Sequence, residues 1–463
     1  MKKRPLAITL LALLHSAPLF AVDPTTDEVL QGFDAPSADT GLEAVLGGFE
    51  ETPSGATTVG VAAEVKRPWH LGGALILSSA YNYAHDAPAP GATDFRGLSR
   101  LRAKLNLEHD YDFSDNWHSH ITGYGYHDLA YRINGRDNYL DEVLDEYESE
   151  VELGEAWLQG KLSRQTDLKL GRQIVVWGKS DNIRVTDIIN PMDNREPGMV
   201  DIEDLRLPLG MVRLDHYIGD WGITALAIPE VRFNKLPPFG SDFYPLPTPM
   251  PDEAIPADAE YGLAANGIFS GWDLSLYVAH LYDDNPHTVI TTGGPELQHA
   301  RLNMLGSAVN VAIDNWLLKG ELAHLSGLEY TTLPGNEFSR TDILLGVEYS
   351  GLRDTSLSLE VANRHLHDYD PTLSGEGLKQ DEWQTALRYS GDFMHARLHL
   401  LAVISAFGTQ LDEGGFGRYA VAYDIADALT ITGGVVSYQS GEKLPFGTYG
   451  DNDRLFVDLK YSF

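Results

Sequence analysis

Cysteine is absent from this chain of 463 residues. Disulfides, haem attached through cysteine and a lipid anchor on an N-terminal cysteine are therefore excluded. Basic residues are scarce as well, with 34 lysines and arginines against 67 acids and a formal net charge of −33. A nucleic-acid-binding surface needs a basic footprint, so this charge balance argues against nucleic acid as a partner.

Long apolar runs are also rare. The first 21 residues contain one, at 6–14, between the basic residues at positions 2–4 and a small residue, Ala21. That pattern predicts a secretory signal peptide, whose removal makes the chain three charges more negative. No later run is long enough for a membrane helix. With a mean hydropathy of −0.21, a membrane protein of this composition is expected to be a β-barrel.

Sequence motifs of common enzyme sites are missing: there is no G-x-S-x-G, no H-E-x-x-H and no glycine-rich phosphate loop with lysine. Two pairs of histidines, His118/His120 and His365/His367, could each share one face of a strand and bind a metal ion. Histidines at strand ends, near headgroups or turns, are the commoner case. We therefore predict no catalytic residue, no cofactor and no metal site.

The last nine residues, 455–463, alternate between apolar and polar side chains and end in an aromatic residue. Alternation predicts a strand with one fully apolar face. The segment resembles the closing strand of Gram-negative outer-membrane β-barrels, in which a terminal Phe and a Tyr two residues earlier belong to the assembly signal. That resemblance assigns an assembly role to Tyr461 and Phe463. The alternative is an edge strand of a soluble sandwich.

From residue 69 onward the chain consists of strand pairs whose connections alternate between short turns and long loops. Short turns on one side and long loops on the other are typical of outer-membrane barrels. We predict an all-β fold, a transmembrane antiparallel β-barrel of about 18 strands, with about 16 as the alternative. The predicted organisation is a signal peptide (1–21), an N-terminal plug or partner-docking segment (22–66) and the barrel (67–463).

The N-terminal segment contains a short repeat, because the run at 29–34 returns in similar order at 45–50. Helix-compatible residues precede each copy, which favours two short amphipathic segments that plug the barrel or dock a periplasmic partner. A flexible leader with two chance apolar clusters is the alternative. The predicted plug or docking residues are Leu30, Phe33, Leu46 and Phe49.

Charged residues alternate with leucines on several strands, which predicts a polar lumen inside an apolar outer face. The predicted basic wall of the lumen comprises Arg100, Arg102, Lys104, Arg388, Arg397, Arg418 and Lys460. The predicted constriction loop, 178–204, carries the acids Asp181, Asp187, Asp193, Glu196, Asp201, Glu203 and Asp204. If this loop folds inward, its acids face the basic wall across a selective pore. If it stays outside, they solvate an outer loop and the arginines pair with acids on neighbouring strands.

Two motifs in the 168–209 region, LGRQIVVWGKS at 170–180 and VTDIINP at 185–191, together with LGGF at 46–49, resemble the outer-membrane proteins grouped as domain of unknown function 1302 (DUF1302). That resemblance implies a periplasmic or lipoprotein companion, an inner-membrane exporter and traffic of hydrophobic or amphipathic molecules. The same stretch resembles the strand and constriction loop of substrate-specific porins.

Three functions follow as hypotheses. The first is an outer-membrane conduit for a hydrophobic or amphipathic molecule, working with periplasmic partners. The second is a substrate-selective porin for small polar or charged solutes, and the third, less favoured, is a hydrolase at the barrel rim. The expected location is the outer membrane of a Gram-negative bacterium. Its lipid, its lipopolysaccharide and the barrel assembly machinery are the expected partners.

Overall fold

The computed structural model describes residues 68–200 and 202–463, and strands dominate this part of the chain. The strands are β1 (Trp69–Asn82), β2 (Gly97–Ser114), β3 (Trp117–Asp128), β4 (Ser149–Ser163), β5 (Thr166–Gln173), β6 (Leu209–Ile218), β7 (Trp221–Ile228), β8 (Glu260–Phe269), β9 (Trp272–Tyr282), β10 (His287–Thr291), β11 (Gly294–Gln298), β12 (Arg301–Ile313), β13 (Trp316–Leu328), β14 (Phe338–Leu352), β15 (Thr355–Leu366), β16 (Asp381–Phe393), β17 (Leu398–Phe407), β18 (Gly415–Ala426), β19 (Leu429–Gln439) and β20 (Arg454–Ser462).

Helical structure in the described part is confined to loops. The helices are α1 (Ala130–Asn134) and α2 (Asp141–Tyr147), with 3₁₀ turns at Arg136–Asn138, Ile202–Leu205, Pro371–Glu376 and Tyr449–Asp451. None of the helices in the described residues combines the length and the apolar character needed to cross a membrane.

Eighteen of the strands form one closed antiparallel sheet, in which each strand pairs with its neighbours along the chain. The short hairpin β10–β11 stands apart and belongs to the loop between β9 and β12. Closure comes from β20, which pairs with both β19 and β1, from Ala74 opposite Ser462 to Asn82 opposite Arg454. The predicted barrel of 18 strands is confirmed, and the alternatives of about 16 strands and of a soluble sandwich edge are wrong.

The outer face of the barrel is apolar, since exposed leucines, isoleucines and valines occupy alternate positions on most strands. On β20, Leu455, Val457 and Tyr461 are exposed, whereas Phe456 is only 3% exposed and points inward. Alternation therefore assigns faces correctly from the sequence.

Two strands end where the residues that follow cannot continue the sheet. Strand β5 stops at Gln173 because side chains of the following loop take the next backbone donors. Asn190 Oδ1 accepts from Val175 N at 2.8 Å, and Asp187 Oδ1 accepts from Trp177 N at 3.2 Å. Strand β7 stops at Ile228 because Pro229 has no N–H to donate to a neighbouring strand.

The main apolar core lies inside the barrel. Buried side chains from the inner faces of β6 to β16 pack against residues of the loop that follows β5, including Ile183, Val185 and Ile189. Packed apolar residues thus fill part of the lumen beside β6 to β16, where the buried charged residues Lys319, Glu321 and Glu360 also lie.

Candidate functional site: a constricted lumen

The loop between β5 and β6 (residues 174–208, the constriction loop) is attached to the inner wall by a buried carboxylate on β13. Glu321 is 4% exposed. Its Oε1 accepts from the backbone N–H groups of Lys179 and Ser180 at 2.6 and 2.7 Å. Its Oε2 accepts from Thr186 N at 3.0 Å and Oγ1 at 2.8 Å. Hydrogen bonds to an ionised carboxylate are among the strong ones, so Glu321 is a principal anchor of the loop.

A second buried carboxylate, Glu360 on β15, continues the attachment. It accepts from Ser180 Oγ at 2.6 Å and from the backbone N–H groups of Asp181 and Asn182 at 3.0 and 3.1 Å. Lys319, two residues before Glu321 on β13, forms an ion pair with Asp181. Charged groups on two separate strands thus hold the same short stretch of the loop.

Apolar contacts complete this side of the loop. Trp177 stacks on Tyr277 of β9, with ring centroids 4.8 Å apart, and Tyr277 Oη accepts from Gly178 N at 3.0 Å. Gly178 has a φ of +90°, and a Cβ there would lie 2.7 Å from Glu321 Oε1. Glycine is therefore required at the bend by both backbone conformation and space.

The far end of the loop reaches the opposite wall, where Glu196 pairs with Arg100 and lies 3.7 Å from Arg102 Nη1. Gly198 packs against the wall as well, since a Cβ at this residue would meet Phe416 of β18 at 2.8 Å. Burial opposes ionisation of Glu196, but the two guanidiniums outweigh it and hold the pKa of this carboxyl well below its ordinary value. The constriction loop therefore spans the lumen and is bonded at both ends.

A second loop (residues 229–259, the cover loop) also turns inward. Lys235 contacts Glu150 at 2.5 Å and Glu152 at 2.7 Å, both on β4. Asp242 lies 2.8 Å from Arg454 on β20, so the loop reaches from one wall to the strand that closes the barrel. Together the two loops narrow the lumen from the side on which the long loops lie.

The acids predicted for the constriction loop mostly pair with cations other than the predicted basic wall. Asp181 pairs with Lys319, Asp187 with Arg206 at 2.9 Å, and Asp193 with Arg195 at 2.6 Å. Glu196 contacts the wall through Arg100 and Arg102, and the exposed Asp204 acts electrostatically on Lys104 of the same wall. Asp201 and the side chain of Glu203 lie outside the described residues. The expectation that the acids face the basic wall as one set is therefore wrong for Asp181, Asp187 and Asp193.

The basic residues divide into two groups. Arg100 and Arg102 belong to the loop attachment, through Glu196 and, for Arg102, through Asp128 at 3.3 Å. The others that lie on strands share register rows: Arg388 and Arg418 both oppose Val403, and Lys104 and Lys460 both oppose Ile76. Directly opposed residues lie on one face of a sheet, so these four residues share the inner face.

Arg397 does not lie on that wall. It ends the turn between β16 and β17, is exposed, and donates to the carbonyl oxygens of Asp424 and Ile425 at 3.1 and 3.3 Å. The sequence predicts this turn four residues earlier, at 390–393. The true turn contains Met394, His395 and Ala396, all with φ between +55° and +60°. It carries no glycine or proline to mark it, which explains the error.

The attachment residues Glu321, Glu150, Glu152 and Lys235 were not identified from the sequence. Alternation could have assigned Glu321 to the inner face, because Leu318 and Leu322 mark the outer face of β13. It could not have supplied the partner, which lies 135 to 142 residues away along the chain.

Two other sets of predicted residues have simpler outcomes. Leu30, Phe33, Leu46 and Phe49 lie outside the described residues, as does the whole segment 22–66. Tyr461 and Phe463 are exposed on the outer face, with ring centroids 6.4 Å apart. The backbone of Phe463 exchanges two 3.0 Å hydrogen bonds with Gly73 of β1, so the terminal residue takes part in barrel closure.

Comparison with known proteins gives a family and a fold. The model of the family described as "Protein of unknown function (DUF1302)" matches residues 90–463. No curated protein matches the sequence. Three solved structures illustrate the likeness in fold, and each covers 85% of this chain.

The first is OccAB2 of Acinetobacter baumannii, with a TM-score of 0.52, 12% identity and 97% of its own chain covered. The second is OccK9 (OpdG) of Pseudomonas aeruginosa, with a TM-score of 0.52, 14% identity and 97% of its own chain covered. The third is a BenF-like porin from Pseudomonas fluorescens Pf-5, with a TM-score of 0.53, 12% identity and 98% of its own chain covered. At these identities the likeness concerns the fold alone.

Proposed function

Since the chain belongs to the DUF1302 family and folds as a closed barrel of 18 strands, we propose that it is a non-enzymatic channel in the outer membrane of a Gram-negative bacterium. It passes small polar solutes through the space between the constriction loop and the open wall, and it favours anions. The apolar outer face supports the membrane location, because it has the surface that lipid requires.

The observation that carries the proposal is the charge of the open wall. Lys104, Arg388, Arg418 and Lys460 line it. Among the described residues Arg388 and Arg418 form no ion pair with an acid, whereas the carboxylates of Asp204 and Glu150 act on Lys104. Arg418 is half-buried, and its Nε and Nη1 have no hydrogen-bond partner in the described part of the chain. Unpaired cations beside a narrow water-filled path raise the local concentration of anions.

The test is the reversal potential of single channels in a planar bilayer across a KCl gradient. We expect the wild type to prefer chloride. The double variant Arg388→Glu/Arg418→Glu should shift the potential toward cation preference, because it places two negative charges beside the path. Arg353→Glu is the matched control, since Arg353 lies in an exposed turn between β14 and β15. If a folded double variant keeps the wild-type ratio of chloride to potassium permeability, the proposal is wrong.

A conduit for a hydrophobic or amphipathic molecule is the second candidate. An aromatic cluster favours it: Phe243 of the cover loop packs with Tyr438, Phe446, Tyr449 and Phe456 at the long-loop end of the lumen. The same bilayer measurement separates the two candidates. Wild-type barrels that stay closed, and that open only when residues 22–66 are deleted, favour the conduit. Open steps in the full chain favour the porin.

A further inference from the structure

Near the short-turn end of the lumen, three neighbouring strands bring histidines and carboxylates to the same height. Glu108 and Asp110 alternate on β2 and so share its inner face. Register sets Asp110 directly opposite His120 of β3 on one side and His70 of β1 on the other. The side chains of Glu108, Asp110 and His120 thus converge at one point of the wall, and His70 lies beside Asp110.

The distances within this group suit a single ion. Asp110 Oδ1 lies 2.7 Å from His120 Nδ1, Glu108 Oε1 lies 3.8 Å from the same nitrogen, and His70 Nδ1 lies 4.0 Å from Asp110 Oδ2. Ligand atoms of Glu108, Asp110 and His120 all lie within 4.8 Å of one another, and no other such group of three occurs among the described residues.

Tetrahedral zinc, with bonds of about 2.0 to 2.2 Å, needs ligand atoms roughly 3.3 Å apart. The observed separations scatter around that value. The side chains of Glu108 and Asp110 are 51% and 43% exposed, so both can rotate by the small amount required.

His120 is the fixed member of the group. Its side chain is 17% exposed, and its ring stacks on Trp157 with centroids 5.2 Å apart. An oriented imidazole beside two adjustable carboxylates is a suitable ligand set for a borderline metal ion.

A plain hydrogen bond between His120 and Asp110 is the simpler explanation of the shortest contact. It does not explain why Glu108 also lies close to His120 Nδ1, at 3.8 Å. Two carboxylates on one imidazole leave a surplus of negative charge, which a divalent cation neutralises. We propose that Glu108, Asp110 and His120 bind a divalent transition-metal ion of the zinc class, with water completing its coordination.

The sequence argument against a metal site considered His118 with His120 along one strand. In the structure the ligands come from across strands. His118 turns its ring edge toward Trp157, with centroids 5.2 Å apart, and is not a member of the group. An ion at this site would tie β2 and β3 together at the mouth of the barrel. The site does not depend on what the channel carries.

The test is calorimetric titration of Zn²⁺ into the purified full-length barrel without a histidine tag. We expect one site per chain in the wild type. His120→Ala and the isosteric variant Glu108→Gln should each weaken binding by about tenfold or more, because loss even of second-shell partners costs that much. Folding of each variant is verified by heat-modifiable migration in gel electrophoresis.

His399→Ala is the matched control. His399 also contacts two carboxylates, Asp392 at 2.6 Å and Asp424 at 3.1 Å, but through opposite ring nitrogens. It therefore cannot bring both carboxylates to one ion, and its loss should leave Zn²⁺ binding unchanged.

A second readout uses the stacked indole. Cu²⁺ bound at His120 should quench the fluorescence of Trp157, and this quenching should be absent in Trp157→Phe and in His120→Ala. A folded wild type that binds no Zn²⁺, or folded His120→Ala and Glu108→Gln variants that bind it as the wild type does, would overturn the proposal.

Discussion

At the scale of the residue, the lumen is governed by which carboxylate pairs with which cation. Seven acids in the constriction loop look alike in sequence, yet Glu196 alone among those described contacts Arg100 and Arg102. Asp193 and Glu150 instead share Arg195, which is 5% exposed. A buried charge needs a partner, so Asp193 and Glu196 each have a specific structural role that a neighbour in sequence does not take over.

Glu196→Gln tests one such role. We expect the far end of the loop to detach and single-channel conductance to rise at pH 7, because the amide cannot form the ion pair with Arg100. Arg100→Gln should give the same result. A loop that keeps wild-type conductance in both variants would mean that Glu196 does not hold it.

The pH dependence of wild-type conductance follows from the ion pair between Glu196 and Arg100. The pKa of Glu196 is lowered in the folded state from its ordinary value of 4.5. A lowered carboxyl pKa stabilises the attachment at all pH values above the ordinary pKa, and this stabilisation is lost as pH falls toward the folded pKa. Wild-type conductance should therefore be constant from pH 7 to 5 and rise only as the pH falls below the ordinary value toward the folded pKa, whereas Glu196→Gln should lack this rise.

At the scale of the element, the constriction loop has almost no regular structure, so the wall must hold it. Glu321 and Glu360 take over the role of a neighbouring strand, since they accept the backbone donors that residues 179–186 cannot pair in a sheet. Carboxylates on the inner face of the barrel thus supply the hydrogen-bond acceptors that a neighbouring strand would supply in a sheet.

Glu321→Gln should loosen this attachment. One of the two oxygens becomes an NH₂ group that faces donors, which costs about 2 kcal/mol of local stability. Hydrogen exchange of the amides of Lys179, Ser180 and Thr186 should accelerate accordingly. Glu260→Gln is the control, because Glu260 is a buried carboxylate that accepts from Tyr282 N at 2.7 Å, outside the loop. Equal exchange rates in the two variants would contradict the anchoring role.

At the scale of the whole molecule, closure depends on the first and last strands. They lie at opposite ends of the described chain, and their pairing includes the terminal residue, Phe463, whose backbone bonds to Gly73. The Phe463 ring is 54% exposed and adds little buried area inside the barrel. The ring is accessible from the outer face, as the predicted assembly role requires.

Phe463→Ala should lower the amount of folded barrel in cells, while refolding of the purified chain in detergent stays near wild type. The backbone bonds to Gly73 are kept, and only the ring is lost. Phe393→Ala is the matched control, an exposed Phe at the same short-turn end of β16. Equal cellular yields of the two variants would remove the assembly role from Phe463.

Local patterns determined much of this molecule. Alternation on β2 and β20 assigns their inner and outer faces, and the sequence of short turns and long loops yields 18 strands in a closed barrel. Both signals depend on neighbouring residues, because side chains repeat every two residues along a strand. Where the local signal is weak, as in the turn at Met394 to Ala396, the prediction of Arg397 on the wall is wrong.

Only the tertiary structure decided which charges meet. Asp181 pairs with Lys319, 138 residues later, and Lys235 pairs with Glu150, 85 residues earlier. The same holds for Glu108, Asp110 and His120, whose convergence comes from strand register. Such contacts form when a closed barrel brings distant strands around one lumen, and sequence spacing carries no record of that geometry. The local sequence pattern therefore specifies the strands of the barrel, and the folded barrel determines which charged side chains pair inside it.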